Sequence, residues 1–392
     1  LSLPREVLAE ELENFSYEAQ PRLNKSEDRV PSPEAIAQAA GLLAKAKNPI
    51  VVTRSAGKDT RTVQPFVELA ELLGIGVIDA GALYANFPKS HPLYAGGDVG
   101  SNLKDADVVV VLEADVPWAT TGSAPSSDAR IIGIGEDPLF SNYPVRGFHV
   151  DHNLAGSPRL TLRALVNAVK DIGVDSAAVQ ARKDKLSSSS QLRREAALQR
   201  AEDGKNDTPI NKAWFSRCLS DVLDENSIVL NELGVDVSQL EFNHPGSFFG
   251  SPPSSGLGWA LGASLGSKLA APEKTVICCV GDGSYIFGSG TAAHIVSQAQ
   301  NLPVLNIVWN NGIWNAVQSA TKVTYADGYA VRNNDFAVST LSQSFQYELI
   351  CQAAGGYAER VDDPSQVPEA IQRALHAVKV EKRQALLNII GQ

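Results

Sequence analysis

The chain is 392 residues long, with 44% hydrophobic and 20% charged residues, the composition of a folded globular protein of two or three domains. A net charge of −10 argues against nucleic acid as a main partner. No apolar run approaches the ~20 residues that a bilayer-spanning helix needs. The four cysteines, Cys218, Cys278, Cys279 and Cys351, suit reduced thiols in a cytoplasmic protein. Cys278 and Cys279 are adjacent in a strand pattern, so they point to opposite faces and are poorly placed to ligate one metal. The chain begins on Leu1 and contains no methionine, so a processed or fragmentary start is expected.

Residues 1–30 are charged and proline-flanked, and read as a linker. Ser32-Pro33-Glu34 is a helix start with proline at the first helical position. The helix leads to a strand over 48–53, and a second helix, TVQPFVELAELLG, leads to a strand over 75–80. Further strands are expected at 107–114 and 129–137. Alternating helices and strands predict a parallel α/β domain over 31–173. Residues 174–207 are polar and read as a helical linker, weakened at a surface turn by Ser187-Ser188-Ser189-Ser190. A second α/β domain is expected over 208–392. Thr208-Pro209 opens its first helix, SIVLNE (227–232) is its first strand, and a helix and the strand QALLNII close it. The fold class is α/β: two parallel-sheet, three-layer domains, the first Rossmann-like.

Within the second domain, TVICCV runs into Gly281-Asp282-Gly283, and twenty-six residues later VLNIVW runs into Asn310-Asn311. Both apolar runs have the length of a buried parallel strand, and a helix over about 291–300 fits between them. Such a βαβ unit brings Asp282 and the asparagine pair to one sheet edge, where open α/β sheets bind ligands. Asp and Asn oxygens suit a hard cation. Mg²⁺ takes few protein ligands and fills its shell with water and phosphate oxygens. The flanking glycines allow close approach of a phosphate, and Ser284 faces the same space. The residues alone therefore point to a Mg²⁺–diphosphate site at a parallel-sheet edge. Gly256-Leu257-Gly258-Trp259-Ala260-Leu261-Gly262 does not fit a dinucleotide loop, because SPPSS rather than a strand precedes it.

GDG, twenty-six residues and NN resemble the cofactor fingerprint of the thiamine-diphosphate (ThDP) enzymes. PGSFFGSPPSSGLGWALGASLGSKLAAPEKTVICCVGDGS resembles their benzoylformate decarboxylase and acetolactate synthase branch. The resemblance covers the middle and diphosphate-binding domains of that family. It implies that Asp282 and Asn311, with the carbonyl of Ile313, hold Mg²⁺. Backbone N–H groups around Gly283, Ser284, Ile313, Trp314 and Asn315, joined by Gly234 and Val235, would hold the diphosphate. It also implies that Leu257 wedges between the two cofactor rings while the Ser255 carbonyl, next to Gly256, accepts from the pyrimidine amino group. That V shape brings the reacting groups together, an orientational gain. His91, in FPKSHPLYAG, resembles a histidine near the substrate in the decarboxylase branch, where an imidazole suits proton transfer, with a loop histidine capping local backbone as the equal alternative. Core packing is the stronger reading for His294 and Trp314, with a cavity-lining role as the alternative.

The expected activity is ThDP- and Mg²⁺-dependent decarboxylation of a 2-oxo acid, with carboligation as the competing outcome. The family's activating glutamate lies on an N-terminal pyrimidine-binding domain, and residues 1–30 match the exit from it. The expected partners are therefore that domain, on the same protein or a separate chain, and a second copy in a homodimer or homotetramer. A catalytically silent ThDP-fold binding or assembly subunit is the alternative.

Overall fold

The computed structural model describes residues 3–16, 27–119, 122–252 and 254–392, so part of the expected linker over 1–30 lies outside the described residues. The first sheet contains β1 (Pro49–Thr53), β2 (Gly76–Asp79), β3 (Tyr94–Gly96), β4 (Val108–Leu112), β5 (Arg130–Gly135) and β6 (His152–Ala155). Its order is β3-β2-β1-β4-β5-β6, and every pairing is parallel. The second contains β7 (Ser227–Glu232), β8 (Phe248–Gly250), β9 (Thr275–Gly281), β10 (Leu305–Asn310), β11 (Tyr357–Val361) and β12 (Ala385–Ile390). It is also wholly parallel, in the order β11-β12-β10-β9-β7-β8. The short strands β3, β6 and β8, and β11 with its charged Glu359-Arg360, lack the apolar run that marks the central strands.

Both faces of each sheet are covered. In β9, Ile277 and Cys279 join Phe215, Leu219, Ile371 and Leu375 in one core. Val276, Cys278 and Val280 join Ala260, Leu261 and Tyr347 in the other. This period-two alternation places the adjacent cysteines in different layers, each fully buried and free. Burying one side chain of the size of Phe215 contributes about 1.5–3 kcal/mol, so the paired layers dominate the stability of this half.

Two local expectations change. The helix after Pro209 starts only at Lys212, capped by Asn211 Oδ1 accepting from Ala213 N at 2.9 Å. Ile210 is held out of it because its backbone exchanges hydrogen bonds with Ile390 and Gln392 at the sheet edge. The serine run is not a turn. It lies inside one helix, Ser176–Asp203, with Ser190 buried. Tertiary contacts override the weak local preference of serine. Arg182 on that helix donates to the Leu73 carbonyl at 2.6 Å, and the Ala197 carbonyl accepts from Gln239 Nε2 at 2.8 Å. The helix thus straps the first sheet's layers to the second. A loop over 82–91 docks on 237–250 through Lys89 Nζ to the Val237 carbonyl (2.7 Å) and Gly250 N to the Leu83 carbonyl (3.0 Å).

From β7 the chain moves outward to β8, and from β9 it moves the other way to β10. The carboxyl ends of β7 and β9 therefore flank a topological switch point, the crevice in which open sheets of this kind bind ligands.

Candidate cofactor site

β9 delivers Asp282 directly into a short helix, Asp282–Phe287. The carboxylate is 2% exposed. Its Oδ1 accepts from Gly283 N at 2.9 Å and its Oδ2 from Gly312 N at 2.8 Å. The second bond joins the loop after β10 to the loop after β9. Gly312 makes it with φ +71°, and a Cβ there would lie 3.1 Å from Gln343 N, so the junction favours glycine. Burial pushes the Asp282 pKa above the ordinary carboxylate range, while the N–H groups of Gly312 and Gly283 and the charge of Lys212 pull it back.

The asparagine pair divides its work. Asn310 is fully buried, and its amide donates to Asn388 Oδ1 at 3.1 Å. Asn311 is half-buried, and its Oδ1 accepts from Ile313 N at 3.2 Å. The Ile313 carbonyl accepts no hydrogen bond among the described residues. The two joined loops thus carry one carboxylate, one amide oxygen and one open carbonyl, oxygen types that suit Mg²⁺. Among the described residues there is no cluster of three or more His, Cys, Asp or Glu able to hold a metal, and this mixed set would not form one.

The expected diphosphate donors fall into two groups. Ser284 N and Asn315 N have no acceptor among the described residues. Five others are already engaged, among them Gly283 N, which donates to Asp282 Oδ1 at 2.9 Å. Gly234 N and Val235 N donate to Asn231 Oδ1 at 3.1 and 3.3 Å, Ile313 N to Asn311 Oδ1, and Trp314 N to the Ser339 carbonyl at 2.8 Å. Short side chains and nearby carbonyls satisfy these loop N–H groups locally.

Leu257 is 37% exposed, so its side chain is open to a ligand. Ser255 and Gly256 precede it; the Ser255 carbonyl accepts no bond among the described residues, and the Gly256 carbonyl accepts from Trp259 N at 3.3 Å. The helix Trp259–Ala270 follows a loop rather than a strand, in keeping with rejection of a dinucleotide fingerprint.

The three remaining candidates differ in where they lie. His91 Nε2 lies 3.2 Å from Glu71 Oε1, its Nδ1 accepts from Leu93 N, and its ring packs edge-on against Phe87. None of these contacts involves Asp282, Asn311 or Leu257. His294 is 1% exposed and bonded to Gln384 Oε1 at 2.7 Å, so it belongs to the interior rather than to a cavity wall. The Trp314 ring packs on Gly283.

Two residues here escaped sequence reasoning. Glu232, at the end of β7 and 2% exposed, accepts from Gly258 N at 2.6 Å and Ala260 N at 2.9 Å. It fixes the start of the helix that follows Leu257, as an acid at a helix N-terminus does. Its only signal was an acid ending a strand whose centre is apolar. Lys212 Nζ donates to the Leu233 carbonyl at 3.0 Å and sits 4.9 Å from the centre of the Trp309 ring. Its position reads as an ordinary first-turn helix residue.

The thiamine pyrophosphate enzyme C-terminal TPP binding domain matches residues 233–389, and the central domain of the same enzymes matches 36–165. The chain is 25% identical over 389 residues to the sulfoacetaldehyde acetyltransferase of Castellaniella defragrans, covering 91% of this chain and 62% of that protein. It is 25% identical over 351 residues to the acetolactate synthase large subunit IlvG of Mycobacterium tuberculosis, covering 88% of this chain and 60% of that one. It thus spans about three fifths of the length of these curated relatives. The fold superposes on benzoylformate decarboxylase from Polynucleobacter necessarius with TM-score 0.72 at 16% identity, covering 97% of this chain and 68% of that one. The 4-hydroxybenzoylformate decarboxylase of Rhodococcus jostii RHA1 gives 0.70 at 21%, covering 95% and 66%. With both domain types matched in chain order, and the two parallel sheets as expected of them, the chain belongs to the thiamine-diphosphate enzymes.

Proposed function

We propose that residues 208–392 hold the Mg²⁺ and diphosphate of ThDP, and that the protein decarboxylates a 2-oxo acid, with carboligation to a second carbonyl as a further outcome. The observation that carries this is the bond from Gly312 N to Asp282 Oδ2, which joins the two loops of the GDG–NN fingerprint at the sheet edge. Asp282, Asn311 and the Ile313 carbonyl would ligate the cation. Ser284 N and Asn315 N would donate to diphosphate oxygens without losing an existing bond. Gly234, Val235, Gly283, Ile313 and Trp314 would have to exchange their present acceptors for the diphosphate. Leu257 would hold the two cofactor rings in a bent arrangement, and Glu232 would fix the backbone that carries it. When bound, ThDP supplies the carbon nucleophile and the electron sink for loss of CO₂; the chain binds, orients and excludes water. His91 would serve proton transfer only after leaving Glu71, and the proposal does not depend on it.

Residues 31–173 read as the middle domain and 174–207 as the linker. The other half of the site would come from a pyrimidine-binding domain, on the same protein or another chain, in a homodimer or homotetramer in the cytoplasm. No helix among the described residues is long and apolar enough to cross a membrane.

A second reading, a catalytically silent ThDP-fold binding subunit, is favoured by one observation. Glu232, a buried carboxylate beside the Leu257 loop, is committed to Gly258 and Ala260 and so is not open to activate a pyrimidine. The test is an assay of CO₂ release and ligation products with pyruvate and with an aromatic 2-oxo acid, in ThDP and Mg²⁺, with and without an added pyrimidine-binding domain. Turnover in any arm supports the enzyme; none with any partner leaves the binding subunit.

A further inference from the structure

We infer that Lys212 is a cofactor-binding residue: its ammonium group supplies the positive charge that meets the diphosphate beside the cation held by Asp282. The inference rests on the ThDP reading above and adds a residue to it.

Its basis is where the ammonium sits. Nζ donates to the carbonyl of Leu233, the residue that turns the chain out of β7 with φ +65°. Leu233 is bridged to Val280 in β9, two residues before Asp282. Gly234 follows, pressed so closely on β9 that a Cβ would lie 2.5 Å from Val280 N. On its other side, Nζ stands 4.9 Å from the Trp309 ring centre, and Trp309 is in register with Gly281. The ammonium is therefore fixed between the end of β7 and the ends of β9 and β10, at the switch point itself. The acids that act on it are Asp236, on the β7 loop, and Asp282, at the head of the next helix.

Neither acid makes a hydrogen bond with the ammonium. Asp236 Oδ1 accepts from Ser238 N and Oγ, and Asp282 accepts from Gly283 N and Gly312 N. One carbonyl bond leaves an ammonium with unused donor capacity, since it carries three N–H groups. A diphosphate brings more negative charge than one divalent cation balances once the Asp282 carboxylate is counted. A partly buried lysine held at the crevice offsets the remainder, and a charge-assisted N–H···O⁻ bond is about twice as strong as a neutral one. The aromatic face beneath it holds the ammonium in place while leaving its hydrogens directed elsewhere.

The test compares the full-length chain with Lys212→Met, Lys212→Gln and Lys212→Arg. Equilibrium dissociation constants are measured for ThDP and for inorganic pyrophosphate, each with Mg²⁺, alongside the melting temperature without ligand. Glutamine keeps a neutral donor for Leu233, and arginine keeps the charge. The expected result is a rise in both constants of about tenfold for methionine and glutamine, equivalent to about 1.4 kcal/mol. Arginine should stay within about threefold of the parent, a conservative rescue that a structural brace would not require. Glutamine binding both probes as the parent does would overturn the inference and leave Lys212 a brace for Leu233. A parent chain that binds neither probe, or an Asp282→Ala variant that binds both unchanged, would instead overturn the ThDP reading beneath it.

Discussion

Replacing Asp282 with asparagine tests the site with the smallest change of shape. The carboxylate uses both oxygens as acceptors, from Gly283 N at 2.9 Å and Gly312 N at 2.8 Å. Asparagine keeps one acceptor and turns an NH₂ toward the other N–H. Losing a hydrogen bond to a charged acceptor costs about 1.5–3 kcal/mol. Removing a buried charge whose pKa burial has raised returns part of that. A net loss of about 1–2 kcal/mol is expected, a few degrees in melting temperature at about 2–4 °C per kcal/mol for a domain of 150–250 residues. The larger effect is on ligand response. With ThDP and Mg²⁺ at 100 times the dissociation constant, the parent chain gains about 2.7 kcal/mol. That is a rise of about 5–10 °C on the same scale. Thermal melts with ThDP and Mg²⁺, separately and together, should show the rise only for the pair and only in the parent. An Asp282→Asn variant that keeps the full rise would refute the assignment of the cation to this carboxylate.

Other substitutions probe the supports. Glu232→Gln leaves Gly258 N or Ala260 N without its acceptor, so denaturant melts should show a loss of about 1–3 kcal/mol. An unchanged melt would show that the helix start is held otherwise. His91→Ala removes the contacts to Glu71, Leu93 and Phe87, and is expected to cost about 1 kcal/mol of stability with turnover within about threefold. A tenfold fall in kcat at an unchanged melting temperature would support a catalytic role for it. Asp79, buried at the end of β2, has its pKa pushed by burial to about 6, against hydrogen bonding from Asn86 and the charge of Lys89. The folded state binds this proton more tightly than the unfolded state. Its stabilising contribution is therefore complete below about pH 4 and lost as pH rises through about 6. Relative to the parent, Asp79→Asn should gain stability over that window, by at most about 3 kcal/mol, in melts from pH 4 to 8. A difference that stays constant with pH would contradict the assignment.

Much of this was legible in the chain itself. Runs such as VVVVL and TVICCV are buried on both faces, so composition alone marks them as central parallel strands. Asp282 and Asn311 were recoverable because a βαβ unit of fixed length returns its strand ends to the same edge, which makes a long spacing a local constraint. Leu257 was singled out only through the family resemblance of the loop that carries it, since a glycine-flanked leucine has no periodic mark of its own. What only the tertiary structure decided are contacts between segments far apart in sequence. Lys212 meets Leu233 and Trp309, and Glu232 meets Gly258 and Ala260, through side-chain reach and strand order, neither of which leaves a periodic trace. The same holds for the serine run, made helical by packing, and for His91, turned onto Glu71 by its loop. Hydrophobic periodicity specifies which face of an element is buried, because every residue on that face contributes to one large term. A single polar contact adds only about 1 kcal/mol, and its partner is fixed by the assembled layers.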